Sequence, residues 1–356
     1  MNLFYELIQV VLGKKDCLSE IPSETEWRKL YDIAQKQAVA GFAFIALDKL
    51  SKQGQKPPLN LLFEWIGLSE QIRNRNQLVN QRCKEITCHF KDAGFDNCIL
   101  KGQGNAGMYP IPESRTSGDI DIWVNGDRKD IIKFVRQKFP KAFEQYIHID
   151  YPIYDDVPVE VHFTPGELII PKYDKRFQEW AANYGKSLFD ARINSQSDYM
   201  VPSIGFNAVF QMVHIVTHFF IEGIGLRHFV DYYYVLVKVK GERLEVKEIQ
   251  ETLCWLGLEK FARGVMWIEQ YCLGLEERYL LFEPSEKIGK VILKEMEEGG
   301  NFGQYDERYS LRSKGLLARG VADAYRLVRL STIFPKESLW KIYNKIENQK
   351  WKLVNR

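Results

Sequence analysis

The 356-residue chain has few cysteines, and they are badly placed for metal. Cys17, Cys83, Cys88, Cys98, Cys254 and Cys272 are scattered, with no C-x-x-C pair. This argues against structural zinc and fits reduced thiols in a cytoplasmic protein. Long hydrophobic runs are also missing. No segment reaches the roughly 18 unbroken apolar residues of a transmembrane helix, so no membrane span is expected. The stretch from Met1 to Leu12 is apolar, but Glu6 and Gln9 interrupt it. It lacks the basic start and small-residue cleavage site of a signal peptide and reads as an amphipathic helix. An excess of one charge is absent as well: the net charge of +2 argues neither for nor against a nucleic-acid partner. There is no internal repeat and no low-complexity tract.

What is present centres on Thr116-Ser-Gly-Asp-Ile-Asp-Ile-Trp-Val124. Asp119 and Asp121 alternate with Ile120, Ile122 and Val124, so the two acids share one face of a strand and the apolar residues share the other. Strand interiors are depleted in Asp, and two adjacent acids on one face repel unless a cation lies between them. Hard divalent cations take oxygen ligands, so this pattern asks for Mg²⁺ or Mn²⁺. The bland alternative is an acid pair on a solvated strand beside a turn.

A second alternating strand, Pro158-Val-Glu-Val-His-Phe163, puts Glu160 and His162 on one side and Val159, Val161 and Phe163 on the other. Paired with the first strand, it would bring Glu160 to the Asp pair. Three carboxylates can hold two metal ions about 3.5–4 Å apart, as in-line phosphoryl chemistry requires. Upstream, Cys98-Ile-Leu-Lys-Gly-Gln-Gly104 reads as a short buried strand entering a glycine turn. Gly102 and Gly104 let the backbone approach an anion, Lys101 adds positive charge, and Arg115 and Ser117 could reach phosphate from the loop before Asp119.

These segments together resemble the uncharacterised bacterial nucleotidyltransferase family, within the superfamily that shares the DNA polymerase β-like catalytic fold. The resemblance rests on Leu100-Lys101-Gly102, Tyr109-Pro110, Arg115, Asp119-Ile-Asp-Ile and Glu160-Val-His162, and continues more weakly through Asp231. It implies that Asp119, Asp121 and Glu160 are the catalytic and metal-binding carboxylates. It also implies that Lys101, Gly102 and Gln103 occupy the place of the phosphate-binding Gly-Ser turn. Three departures stand out. Gln103 replaces the usual serine, the spacing from the turn to Asp119 is long, and the third acid is Glu.

The expected fold class is α+β: a small mixed sheet flanked by N-terminal and C-terminal helical regions. The divisions expected are a helical region over 1–92, a catalytic core over 93–195 and a helical domain over 196–356. Ser23 or Thr25 caps a helix, a long helix runs from Leu59 to Lys91 and stops at Gly94, and Asp127 caps another. The core order is strand, short helix or loop, strand, helix, strand, strand, with the last pair over Lys141–Asp150 and Pro152–Phe163. Further helices are expected over Phe206–Phe220, Arg227–Val239, Val246–Leu256 and Glu259–Cys272, a loop over Glu295–Tyr309, and a basic amphipathic helix over Ser338–Leu353.

On the helix from Phe206, Asn207, Gln211, His214, His218 and Glu222 form a polar stripe. It either lines a cleft or consists of hydrogen-bonded core groups. His214 and His218 alone make a poor zinc site, because no third ligand accompanies them. Arg227 and Asp231 are four residues apart, the spacing of a helix ion pair, with phosphate binding by Arg227 as the alternative. His162 either tunes Glu160 or is a satisfied polar residue on a sheet margin.

The activity these residues imply is transfer of a nucleoside monophosphate from an NTP, most simply ATP, to an acceptor hydroxyl with release of pyrophosphate. The acceptor is a small molecule or a protein; no dense basic stripe accompanies the site to hold a long nucleic acid. Two alternatives stay open. One is a nucleotide-binding or protein-interaction module of the same fold with little turnover. The other is a metal-dependent phosphohydrolase using Asp119, Asp121, Glu160 and His162.

Overall fold

A computed structural model describes residues 2–190, 199–303 and 326–343. Five helices precede the sheet: α1 (Leu3–Val11), α2 (Glu24–Lys36), α3 (Ala40–Phe44), α4 (Ala46–Lys52) and the 34-residue α5 (Leu59–Asp92). The mixed unit then runs β1 (Asn97–Ile99), α6 (Gln103–Ala106), β2 (Ile120–Val124), α7 (Arg128–Lys138), β3 (His148–Asp150) and β4 (Val159–His162). Helices α8 (Pro171–Asp190), α9 (Ile204–Ile221), α10 (Leu226–Gly241), α11 (Val246–Trp255), α12 (Glu259–Leu273) and α13 (Glu286–Gly299) follow. The fold class is thus α+β, a small mixed sheet between two sets of helices.

Local chemistry explains several boundaries. Ser23 and Glu26 form a reciprocal capping box that opens α2. Asp127 accepts the Lys129 N–H at 2.8 Å to open α7. Gly274, in the left-handed region at φ 68°, closes α12.

The four strands lie in the order β1-β2-β4-β3. β2 and β4 are parallel neighbours, while β1 pairs antiparallel with β2 and β3 antiparallel with β4. One face is apolar. Ile120, Ile122, Val124, Val159, Val161 and Ile149 pack there against Val79, Ile86 and Phe90 of α5 and Ile131 and Val135 of α7. The opposite face carries the polar residues and Trp123, whose ring stacks on Phe206 of α9 with centroids 5.7 Å apart. Trp123 therefore ties the polar face of the sheet to the C-terminal helices. A second, larger core joins α1–α4 to α9–α13, with Phe4, Trp27 and Phe42 in the same cluster as Phe219, Tyr232 and Met266.

Several expectations need correction. The stretch read as a loop from Glu295 is helical through Gly299 as the end of α13, where Met296 faces the core; residues 304–309 lie outside the described residues. Helix α8 stands where no helix was expected, with Phe177, Ala181 and Leu188 on its buried side. The strand pair over 141–163 contracts to β3 and β4, because the intervening turn and Pro158 leave too little continuous extended chain for longer pairing. α1 is buried all round: Glu6 is held by Lys15 at 2.8 Å and Gln9 donates to the Cys272 carbonyl at 3.1 Å, so neither polar residue marks a solvated face. α9 is long and apolar enough to cross a membrane by length and composition, with 67% of it buried in the fold. Of the basic C-terminal helix, residues 335–343 are helical, and 344–353 lie outside the described residues.

Candidate active site

The parallel register of β2 and β4 sets Asp121 opposite Glu160 and Trp123 opposite His162. Both strands alternate with period 2, so their polar side chains emerge on one face. Asp119, one residue ahead of β2, continues that alternation. An oxygen from each of Asp119, Asp121 and Glu160 lies within 4.8 Å of the others. Asp121 is buried, Glu160 half-buried and Asp119 exposed at the mouth.

Three carboxylates this close raise one another's proton affinity unless cations intervene. The charge of Asp121, helped by partial desolvation at the mouth of the cleft, pushes the Asp119 carboxyl above its ordinary value. Asp121 moves the other way. Burial opposes its charge, but Lys101 Nζ at 3.1 Å and His162 Nε2 at 2.9 Å from its Oδ1 hold it well below the usual carboxylate range. Burial works against the Lys101 ammonium, and the charges of Asp121, Asp119 and Glu160 outweigh it and raise its pKa. Burial likewise works against a charged His162, yet its bonds to Asp121 and Glu160 lift it to about 9. Two cations therefore face three anions. The donor set fits a divalent ion: three convergent carboxylate oxygens, one of them open to solvent, suit hard Mg²⁺ or Mn²⁺.

These acids form one wall of a cavity of about 710 Å³. The facing wall comes from α9 and α10: His214, His218 and Glu222, then Arg227, His228 and Asp231. The volume falls in the range of ordinary ligand sites, about 300–1,000 Å³. Only the second half of the α9 polar stripe reaches this cleft. Asn207 lines a separate cavity, and Gln211 is buried in the helix packing. His214 and His218 pack with ring centroids 4.2 Å apart, and His218 Nδ1 lies 3.1 Å from Glu222 Oε2. Burial drives the pKa values of His214 and His228 well below the ordinary imidazole value.

The remaining candidates divide. Lys101 and Gly102 line the cleft; Gly102 holds φ 47°, a conformation that favours glycine, as the chain turns from β1 into α6. Gln103 turns away: it is buried, and its Nε2 donates to Asn80 Oδ1 at 2.7 Å beside α5. Arg115 borders the cleft, but its guanidinium forks onto Asp231, with Nε 2.8 Å from Oδ1 and Nη2 2.7 Å from Oδ2. The carboxylate of Asp231 thus answers Arg115, on the loop before β2, across 116 residues of sequence. Arg227 donates from Nη1 to the Thr116 carbonyl at 3.0 Å. Burial and the neighbouring charge of Arg115 pull its pKa down to about 10. Ser117 is half-buried, and its Oγ has no hydrogen-bond partner among the described residues.

His148 and His228 are among the cleft residues that the sequence reading did not mark out. His148 alternates with Asp150 just as Glu160 does with His162, and this signal was available. His228 follows Arg227 with nothing in its spacing to mark it.

No curated protein matches the chain. The crystal structure of an antigenic nucleotidyltransferase-like protein from Paracoccidioides brasiliensis aligns at 14% identity over 55% of this chain and 92% of that one, with a TM-score of 0.29. So loose a superposition carries no weight for the fold. The sequence family described as uncharacterised nucleotidyltransferase matches residues 23–274, from the start of α2 to the end of α12 and so across every carboxylate of the cleft; the chain belongs to that family.

Proposed function

We propose that this protein transfers a nucleoside monophosphate from an NTP, ATP in the simplest case, to an acceptor hydroxyl, with Mg²⁺ or Mn²⁺ bound at two positions and pyrophosphate released. One observation carries the reading: the oxygens of Asp119, Asp121 and Glu160 converge within 4.8 Å on one wall of a nucleotide-sized cleft, in a chain of the nucleotidyltransferase family. Asp119, Asp121 and Glu160 would hold the ions. When bound, the ions neutralise the phosphates and lower the pKa of the attacking hydroxyl.

The chain's own part is positioning and charge. Lys101 lies 3.1 Å from Asp121 and adds positive charge where the phosphates would enter. The positive φ of Gly102 lets the backbone approach them closely. Arg227, on the opposite wall, supplies a second cation. Glu160 would accept the acceptor's proton. Lining by His214, His218 and Glu222 gives the far side of the cleft hydrogen-bonding groups for a small molecule or a protein hydroxyl. A module with little turnover is the second reading, favoured by Gln103, whose side chain is engaged by Asn80 and leaves the missing serine hydroxyl unreplaced.

The test is α-labelled ATP with Mg²⁺ or Mn²⁺, a cell lysate as the source of acceptors, and wild type against Asp119→Asn and Asp121→Asn. Transfer of label with pyrophosphate release, falling about 100-fold or more in each variant, is expected. Metal-dependent ATP binding without transfer to any acceptor would support the low-turnover module. Phosphate release from simple phosphoesters without pyrophosphate from ATP would support a hydrolase.

A further inference from the structure

The sheet carries a second group of potential ligands beside the three carboxylates. On β3 and β4, His148 stands directly opposite His162, and Asp150 opposite Glu160. One ligand atom from each of His148, Glu160 and His162 lies within 4.8 Å of the others. His148 Nδ1 is 3.3 Å, and His162 Nε2 3.4 Å, from the same oxygen, Glu160 Oε2. Around a four-coordinate ion with bonds of about 2.0–2.1 Å, the tetrahedral angle sets ligand atoms about 3.3–3.4 Å apart. The two observed edges have that length.

The two imidazoles are oriented as ligands would be. His148 is only 6% exposed, yet neither of its ring nitrogens has a hydrogen-bond partner among the described residues. A buried polar group left in this state needs an explanation. Its Nδ1 faces Glu160, and its Nε2 faces Asp150 at 3.6 Å, which sets a carboxylate behind the ring. His162 Nδ1 lies 3.2 Å from the Thr164 carbonyl, which can only accept, so Nδ1 carries a proton. Its Nε2 faces Asp121 Oδ1 at 2.9 Å and Glu160 Oε2 at 3.4 Å, and a metal bound there would take the place of the proton shared with those carboxylates. A backbone carbonyl that accepts from the ring nitrogen turned away from the ion is the usual support for a metal-bound histidine.

We infer that His148, His162 and Glu160 form a binding site for a divalent transition metal, with a fourth position open to the cleft. Imidazole nitrogen favours Zn²⁺ and other later first-row ions such as Co²⁺, whereas Mg²⁺ holds to oxygen in near-octahedral geometry. Asp119 lies outside this set, so an oxygen-only position beside Asp121 stays available to a hard ion, with Glu160 between the two. The inference rests on the metal-binding reading of the cleft through that shared carboxylate.

Co²⁺ titrated into the metal-stripped full chain tests it. The expected result is the strong visible absorption of four-coordinate Co²⁺, without the near-ultraviolet thiolate bands that binding at the scattered cysteines would give. Zn²⁺ in equimolar amount should bleach the absorption, and a large excess of Mg²⁺ should not. His148→Ala, shown to be folded by circular dichroism, should bind Co²⁺ at least about tenfold more weakly. Asp119→Asn should keep the spectrum. A faint, six-coordinate spectrum in wild type overturns the site without recourse to any variant, as does unchanged affinity in folded His148→Ala. A faint spectrum beside Mg²⁺-dependent ATP binding by equilibrium dialysis removes this site and leaves the transferase reading intact. A strong spectrum in a protein that binds no ATP does the reverse.

Discussion

Replacing Asp231 by Asn should destabilise the protein far more than removing an ordinary ion pair. The Asp231 carboxylate accepts from Arg115 Nε at 2.8 Å, Arg115 Nη2 at 2.7 Å, Tyr109 Oη at 2.6 Å and Asn105 Nδ2 at 3.3 Å. Both charged partners are nearly inaccessible, with side-chain exposures of 5% and 4%. An exposed pair would be worth at most about 1 kcal/mol. Here the variant leaves a buried guanidinium without its counter-charge, beside a second buried guanidinium at Arg227. Breaking a pair of this kind typically costs about 3–5 kcal/mol. Asparagine keeps one acceptor oxygen, which places the expectation near the lower end, about 3 kcal/mol. Urea denaturation of wild type and Asp231→Asn reads the difference as a lower midpoint at unchanged slope. The double variant Arg115→Met/Asp231→Leu, which removes both charges and keeps apolar bulk, should recover part of the loss, the buried Tyr109 hydroxyl and Asn105 amide still lacking their acceptor. A single-variant loss below about 1 kcal/mol would refute the argument, because it would mean that water entering the cleft already solvates the pair.

Two further outcomes follow from burial. Glu269 is fully buried, and neither of its oxygens has a partner among the described residues, so burial raises its pKa well above the ordinary carboxylate value. The folded state then keeps a proton that the unfolded chain releases above about pH 4.3, and the contribution of Glu269 to stability should decline as pH rises from that value. Glu269→Gln should flatten this slope and melt higher than wild type at pH 8; an unchanged pH profile of the melting temperature would count against a protonated Glu269. Gly41→Ala should cost about 1–3 kcal/mol, because a Cβ there would meet the Ser114 backbone oxygen at 2.6 Å and the Ile72 side chain at 3.2 Å. Its denaturation midpoint checks this, and a neutral result would show that the chain at Ser114 yields freely.

Much of the site could be read from period-2 alternation. Asp119-Ile-Asp-Ile and Val-Glu-Val-His put acids on one face and apolar residues on the other wherever the strands ended up, and both faces are where that pattern puts them. The chain order of the sheet unit was legible for the same local reason, as were the Ser23 and Asp127 caps. The helices α8 and α13 were less so. In α13, Glu295 sits on the buried side and pairs with Arg326 only in the folded protein, and Gly299-Gly300 carries a loop signature although α13 continues to Gly299.

By itself, the sequence determined which side chains share a face, because alternation and capping act between residues only a few positions apart. Tertiary structure alone decided which faces meet. It set Asp121 beside Glu160 by the parallel register of β2 and β4, turned Arg115 onto Asp231 across 116 residues, swung Gln103 onto Asn80, and brought His148 over His162. Those pairings are fixed by burial of the apolar sheet face and by docking of Trp123 on Phe206. Burial and docking are properties of the packed whole, and no local stretch of chain encodes them.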